Sequence, residues 1–80
     1  FVRPRLASGA VLDIGCGNGS YLATNAAGYR LHGIDISPQL AKAADDLFKQ
    51  TGGGAICAPA TAALGVMPAH SIDAAILRSY

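Results

Sequence analysis

Three glycines alternate with other residues directly after a short apolar run, and this feature limits the possible folds most strongly. The run is Ala10–Ile14, and the glycines are Gly15, Gly17 and Gly19. A short apolar run that stops abruptly is typical of a buried parallel strand. Alternating glycines suit a tight turn with unusual backbone dihedral angles. The segment therefore predicts a strand, a turn and then the start of a helix.

Helix start signals follow this turn and recur later in the chain. Ser20 is predicted to cap a helix over residues 21–27. Ser37 followed by Pro38 predicts a second start, because a hydroxyl caps the helix and proline is tolerated in its first turn. This second helix is expected to run to about residue 49. Helical spacing predicts four residues on its buried face, namely Leu40, Ala44, Leu47 and Phe48.

Further short apolar runs predict three more strands, over residues 30–36, 55–58 and 72–77. Residues 59–71 are rich in alanine, and we predict a loop there with at most one helical turn. Strands that alternate with helices indicate an α/β fold with a parallel sheet and right-handed crossovers.

Composition and charge exclude several classes of protein. The chain has 80 residues, enough for one domain at most, with 51% hydrophobic and 14% charged residues. This balance argues against disorder, and a net charge of +1 does not indicate nucleic acid as a partner. No apolar stretch approaches the ~18 residues that a membrane-spanning helix needs. Two cysteines are too few for a disulfide framework and the N-terminal residues lack a signal-peptide layout, so we predict a cytoplasmic location.

Two aspartates end the first two predicted strands, where an open α/β sheet binds its ligands. Asp35 can accept hydrogen bonds from both hydroxyls of a ribose, which suits NAD as well as other adenosine ligands. Asp13 favours a ligand with an ammonium group, because a carboxylate beside the glycine turn repels a pyrophosphate. The turn also lacks the final glycine of the dinucleotide pattern Gly-x-Gly-x-x-Gly.

The segments 11–19 and 33–37 together resemble the opening of a class I S-adenosylmethionine-dependent methyltransferase. The nearest group is the broad one with a "methyltransferase domain 11" core. The resemblance implies a Rossmann-like α/β fold with helices on both faces of a parallel sheet, this chain supplying the first four of seven strands. Residues 1–80 would be the N-terminal, cofactor-binding part of one incomplete domain. The implied cofactor is S-adenosyl-L-methionine, and the implied activity is methyl transfer to an unidentified acceptor, either a small molecule or tRNA.

The resemblance also implies roles for individual residues. Asp35 would bind the ribose, and Ile36 would pack against the adenine. Thr61 would stand where relatives often carry an acid that reaches the adenine amino group. The methionine part of the cofactor would lie against Asp13 and the turn, formed by Gly15, Cys16, Gly17, Asn18 and Gly19.

Two alternatives to the methyltransferase hypothesis follow from the same residues. The strand, turn and acidic strand end also occur in dinucleotide-dependent oxidoreductases. A module that binds the cofactor without catalysis is the other alternative. The sequence assigns no catalytic residue and no metal ligand, because His32 and His70 lack a further ligand at metal spacing. It predicts no membrane contact and assigns neither the methyl acceptor nor an oligomeric state.

Overall fold

A parallel sheet of four strands forms the centre of the computed structural model, which describes residues 9–77. Every strand pair is parallel, and the strand order across the sheet is β3-β2-β1-β4. The strands are β1 (Ala10–Ile14), β2 (Arg30–Asp35), β3 (Gly54–Cys57) and β4 (Ala74–Leu77). The predicted Rossmann-like α/β fold is therefore confirmed.

Helices cover both faces of this sheet. On one face lie α1 (Ser20–Asn25) and α2 (Pro38–Phe48), and α3 (Ala63–Ala69) lies on the other. The core has two parts, one on each face of the sheet, because successive side chains of β1 point to opposite faces. The α1 and α2 side buries Val11 with Leu22 and Phe48, among others. The α3 side buries Leu12, Ile34 and Ala63.

The first helix begins one residue earlier than the sequence predicts. Ser20 is its first residue, and the N-cap is Gly19 in a left-handed conformation with φ of 88°. The side chain of Asn18 accepts a hydrogen bond from the Ser20 backbone N–H at 3.0 Å. The prediction that Ser20 caps the helix is therefore wrong, because a glycine can adopt the required dihedral angle at no steric cost.

The second helix begins as predicted, with the Ser37 hydroxyl accepting a hydrogen bond from the Leu40 backbone N–H at 3.4 Å. It ends at Phe48 and continues as a single 3₁₀ turn, Lys49–Thr51. The predicted burial of Leu40 is wrong, since that side chain is 41% exposed. The predicted burial of Ala44 and Phe48 is confirmed, and Ala41 is buried in addition.

The third helix lies in the segment predicted to be a loop. Residues 60–62 form a 3₁₀ turn, and α3 follows it directly. Its stability comes from packing, since Ala63 and Val66 contact the core on that side of the sheet. At its C-terminus the His70 ring lies against the ring of His32, with centroids 4.8 Å apart. Burial lowers the pKa of His32, and the nearby His70 and Arg30 lower it further.

Hydrogen bonds accepted by two aspartate carboxylates fix the outer strands of the described sheet. Asp73 accepts a hydrogen bond from the Ala10 backbone N–H at 2.8 Å, and its own N–H donates to the Ala10 carbonyl at 2.9 Å. Asp73 therefore ties the start of β4 to β1. On β3, Asp45 of α2 accepts a hydrogen bond from the Ala55 backbone N–H at 2.8 Å and pairs with Lys49 at 2.8 Å. That contact fastens β3 to α2.

The ring of Phe48 packs between two glycines and sets the distance of α2 from the rest of the core. A Cβ atom added to Gly33 of β2 would lie 2.8 Å from the Phe48 ring and 2.7 Å from the Cys16 sulfur. A Cβ atom added to Gly19 would lie 2.9 Å from the same ring. All three distances are shorter than real Cβ contacts, so a side chain at either position would force its neighbours to shift.

We expect Gly33→Ala to destabilise the protein by about 1–3 kcal/mol, because the added methyl group overpacks the core. The matched control is Gly65→Ala in α3, where an added Cβ meets nothing within 4 Å. That substitution is expected to stabilise by about 0.5–1 kcal/mol, the ordinary gain of alanine over glycine inside a helix. Urea denaturation of both variants gives the two free energies. Equal effects of the two substitutions would contradict the packing described for Phe48.

A pH dependence of stability is expected from Asp45. The hydrogen bond from Lys49 lowers the pKa of Asp45, and the one from the Ala55 N–H lowers it further. A carboxyl group whose pKa is lower when folded stabilises the protein above its unfolded pKa. That contribution to stability is lost as the pH falls through the lowered pKa of the folded state.

Asp45→Asn should therefore cost about 1 kcal/mol at neutral pH, and the difference from the unmodified protein should shrink at about pH 3. Denaturation at both pH values measures it. The control is Asp46→Asn, whose exposed pair with Lys42 is expected to contribute under about 0.5 kcal/mol. A cost of Asp45→Asn that is unchanged at about pH 3 would contradict this assignment.

Candidate functional site

A cavity of about 310 Å³ opens at the carboxyl ends of the strands. This is the edge at which open parallel sheets bind ligands, and the volume lies at the lower end for small-molecule sites. One carboxylate, that of Asp35, lies in an otherwise apolar lining. The lining residues are Ile14, Gly15, Ile34, Asp35, Ile36, Ala58, Pro59, Ala60 and Leu77.

Asp35 is held in place by two backbone N–H groups. One carboxylate oxygen accepts a hydrogen bond from Gly17 at 2.8 Å, and the other accepts one from Ser37 at 2.8 Å. Asp35 is buried, yet it lines the cavity. Each carboxylate oxygen can accept a second hydrogen bond, so the group can still receive hydroxyl donors from a ligand. The predicted binding residue thus also joins the glycine turn to the start of α2.

The N–H groups of the glycine turn donate to the protein itself. Those of Gly15 and Cys16 both donate to the Ile34 carbonyl, at 2.7 and 3.0 Å, and that of Gly19 donates to the Cys16 carbonyl at 3.1 Å. The three glycines have φ of 83°, 58° and 88°, the left-handed region that other residues avoid. A turn that binds a pyrophosphate aims such N–H groups at the ligand. Here the N–H groups of Gly15 and Cys16 point to β2, and that of Gly19 points to a carbonyl of the turn itself.

The side chains predicted from the turn do not all face the cavity. Asp13 is completely buried. It alternates with Leu12 and Ile14 along β1, so its side chain lies on the face covered by α1 and α2. Its predicted contact with a ligand ammonium group stays a prediction. The Cys16 thiol is also buried, 3.4 Å from the Gly17 carbonyl oxygen, and packs in the core. Asn18 is exposed.

Two further predicted residues follow the second and third strands. Ile36 lines the cavity and is 77% exposed, so its side chain can cover an aromatic ring of a ligand. Thr61 is exposed in the 3₁₀ turn, directly after the lining residue Ala60. The role predicted for Thr61 stays a prediction.

Sequence reasoning missed the wall that follows β3 and the role of Phe48. Ala58, Pro59 and Ala60 carry no chemical group that a motif could reveal, and they line the cavity only because the next helix folds back. Phe48 was expected in the core, but its position beneath Gly19 follows from the tertiary packing. The unusual glycine at position 33, inside a strand, was the available signal for that contact.

Among residues 9–77, no group of three or more His, Cys, Asp or Glu side chains is placed to hold a metal ion. Within the same residues, no helix has the length and apolar character to cross a membrane.

The fold is Rossmann-like, and its cavity lies at the strand ends, where open parallel sheets bind their ligands. Residues 11–79 match the family described as "Methyltransferase domain". This match covers most of the chain, and the chain therefore belongs to that family. No functionally curated protein matches it.

Solved structures of similar fold include two methyltransferases. One is a SAM-dependent methyltransferase from Geobacter sulfurreducens in complex with S-adenosyl-L-homocysteine, 27% identical, with a TM-score of 0.51 over 71% of this chain. The other is the plantazolicin methyltransferase BamL in complex with a triazolic desmethylPZN analogue and SAH, 36% identical, with a TM-score of 0.52 over 70% of this chain. The matched parts span 24% and 21% of those two proteins.

We expect Gly19→Ala to destabilise the protein more than Gly28→Ala. Both glycines have positive φ, 88° and 96°, so alanine is strained by about 1–2 kcal/mol at either position. Only the Cβ of the first variant would meet Phe48, whereas nothing lies within 4 Å of the second. The difference between the two unfolding free energies, measured by urea denaturation, therefore isolates the contact between the turn and Phe48. Equal costs would show that this contact does not constrain the turn.

Proposed function

We propose that this chain forms the S-adenosylmethionine-binding part of a methyltransferase that acts on a small molecule or a tRNA. The observation that carries the proposal is the Asp35 carboxylate, fixed by two N–H groups beside an apolar cavity at the strand ends. A fixed carboxylate suits the two hydroxyls of a ribose, and an apolar cavity suits a purine. Both parts occur in an adenosyl ligand.

In this proposal each part of the donor has its own set of residues. Asp35 accepts the ribose hydroxyls, and Ile36 packs against the adenine, with Thr61 near its edge. Asp13 is assigned to the ammonium group of the donor, from its position at the end of β1 directly before the turn. The backbone of the turn lies along the methionine part, from Gly15 through Cys16, Gly17 and Asn18 to Gly19.

When bound, the donor supplies a methyl group that is electrophilic because it is attached to a sulfonium. Transfer to a lone pair of the acceptor would break the carbon–sulfur bond and leave its electron pair on sulfur. Asp35 and the turn would hold the donor so that the methyl group has one orientation. Orientation of this kind contributes up to about 7–11 kcal/mol to catalysis in favourable cases. The acceptor and any general base are left unassigned.

The direction of the turn N–H groups favours this donor over a dinucleotide. Those of Gly15, Cys16, Gly17 and Gly19 all donate within the protein. A pyrophosphate at this turn would lose them as partners and would lie close to the Asp35 carboxylate. No observation favours the dinucleotide-dependent oxidoreductase. An activity assay with a labelled methyl donor distinguishes a methyltransferase from a module that binds the donor without catalysis.

The proposal also covers the methyl acceptor and the cellular location of the protein. The BamL structure holds a plantazolicin analogue, which is an example of a small-molecule acceptor in a protein of similar fold. A net charge of +1 gives no electrostatic reason to prefer a nucleic acid. The described cysteines, Cys16 and Cys57, are free thiols, which suits the cytoplasmic location that we propose.

Calorimetric titration should detect binding of S-adenosylhomocysteine, and Asp35→Ala should weaken that binding at least about tenfold. Two hydroxyl hydrogen bonds to a charged acceptor are lost in this variant, each contributing about 1.5–3 kcal/mol. The matched control is Asp46→Ala, which removes an exposed carboxylate at the far end of α2. It should bind as the unmodified protein does.

Because Asp35 also fastens the turn, the unfolding free energy of both variants is measured as well. Asp35→Asn separates the binding of the ribose from the support of the turn. Its amide oxygen still accepts one backbone hydrogen bond, whereas the negative charge is lost. Undiminished binding by a folded Asp35→Ala protein would refute the ribose assignment. Thermal stabilisation by NAD, without any by S-adenosylmethionine, would favour the oxidoreductase instead.

A further inference from the structure

Two histidine rings lie against each other where the C-terminus of α3 meets the sheet. His32 is in β2 and only 6% exposed, whereas His70, the C-cap residue of α3, is exposed. The ring centroids are 4.8 Å apart. Both residues, together with Val66 of α3, line a cavity of about 220 Å³ that is separate from the one at the strand ends. The C-terminal turn of α3 therefore lies over a buried imidazole.

The basic groups near His32 oppose a proton on its ring. Burial lowers the pKa of His32, and His70 and Arg30 lower it further. Arg30 is two residues earlier on the same strand, so both side chains are on one face of the sheet. A protonated ring would lose solvent and meet one cation and a second base. While the two rings are in contact, the neutral form of His32 is favoured.

The carboxylates of the neighbouring elements are directed elsewhere. Asp45 of α2 lines the same cavity, but its carboxylate pairs with Lys49 at 2.8 Å. Asp13 of β1 lies on the other face of the sheet. Asp73, which follows α3, accepts a hydrogen bond from the Ala10 backbone N–H. Neither α3 nor β3 contains an acidic residue. A proton on the buried ring would therefore gain little compensation from these groups.

The turn that covers the buried ring is weakly held. Pro68 has no N–H, so α3 lacks one of its backbone hydrogen bonds. Ser71 has φ of 52°, and among the described residues it is the one non-glycine residue with a positive φ. Such a conformation is strained. The Ile72 N–H donates to the Met67 carbonyl at 3.0 Å and closes the turn. Release of the turn would relieve the strain at Ser71 and admit water to the buried ring.

We propose that the contact between His32 and His70 is a pH-sensitive closure, in which protonation of His32 releases the C-terminal turn of α3, residues 66–72, from the sheet. The proton binds more tightly after release, because the ring then regains solvent and moves away from the second imidazole. The equilibrium constant for release therefore rises as the pH falls through the ordinary histidine pKa of about 6.5, by at most about tenfold per pH unit for one proton. It levels off below the lowered pKa of the closed state. Acid thus uncovers the α3 side of the core, whatever ligand the protein binds.

Met67 provides a probe of this release, because it lies in α3 and is the one methionine of the chain. In protein labelled with ¹³C at the methionine methyl group, this NMR signal should change in one transition as the pH is lowered from about 8 to about 5.5, a range above the ordinary pKa of aspartate. Amide hydrogen exchange, corrected for its intrinsic pH dependence, should show that protection of the His70 and Ile72 N–H groups falls over the same range. The β1 amides should stay protected, because the release is local.

Three variants test the closure from its different sides. His32→Gln removes the buried titrating ring, so protection of Ile72 should no longer depend on pH. His70→Gln removes the ring contact and one base, so protection should be lower at about pH 8 and should change less on acidification. This exposed variant keeps the test valid even where His32→Gln does not fold. Ser71→Gly relieves the backbone strain and should raise protection at every pH.

Three results would overturn the proposal. The first is a Met67 signal and an Ile72 protection that stay constant between about pH 8 and about pH 5.5. The second is a response to pH that is undiminished in folded His32→Gln or in His70→Gln, because another group would then be responsible. The third is a simultaneous loss of protection in β1 and α3, since the whole chain and not the turn would then unfold.

Discussion

The rest of the site depends on the hydrogen bonds that the Asp35 carboxylate accepts. It accepts one backbone hydrogen bond from the glycine turn and another from the residue that caps α2. A charged acceptor makes stronger hydrogen bonds than a neutral one, and two such bonds fix both segments relative to the end of β2. The group that binds a ribose in the proposed function therefore also builds the shape into which the ribose fits. Loss of the carboxylate alters the cavity and the contact at once.

A second constraint acts from below the turn. The Phe48 ring fills the space that side chains at Gly19 and Gly33 would occupy, so α2, β2 and the turn approach one another at distances that only glycine permits. The turn is thus supported by the core on one side and held by Asp35 on the other. Such support explains how a turn made largely of glycine keeps one conformation, which a binding site for a small ligand requires.

Much of the fold could be predicted from the sequence because its signals are local. Strand β1 ends at the glycines as predicted, and α2 begins at Ser37 because a hydroxyl and a following proline act within one turn of helix. Asp13 and Asp35 could be assigned to strand ends from the same local patterns. These positions are determined by residues close in sequence, which one sequence displays.

The parts that could not be predicted depend on tertiary contacts. Helix α3 contains a glycine and a proline, Gly65 and Pro68, and forms because Ala63 and Val66 pack on the sheet. Leu40 shares a helical spacing with the buried residues, yet it is exposed and Ala41 is buried. Likewise, the direction of the Asp13 side chain and the apolar wall after β3 follow from how distant segments meet. Hydrophobic spacing carries no information about such distances.

The central place of β1 in the sheet has a consequence for how the protein acquires its site during synthesis. This strand emerges early from the ribosome, but one of its two neighbours is β4, which is made last among the described strands. Ala10 gains its two hydrogen bonds to Asp73 only when that later segment arrives. Pairing between segments so far apart in the chain is a slow step in folding. We therefore expect the nascent chain to form the cavity at the strand ends only after translation has passed residue 77.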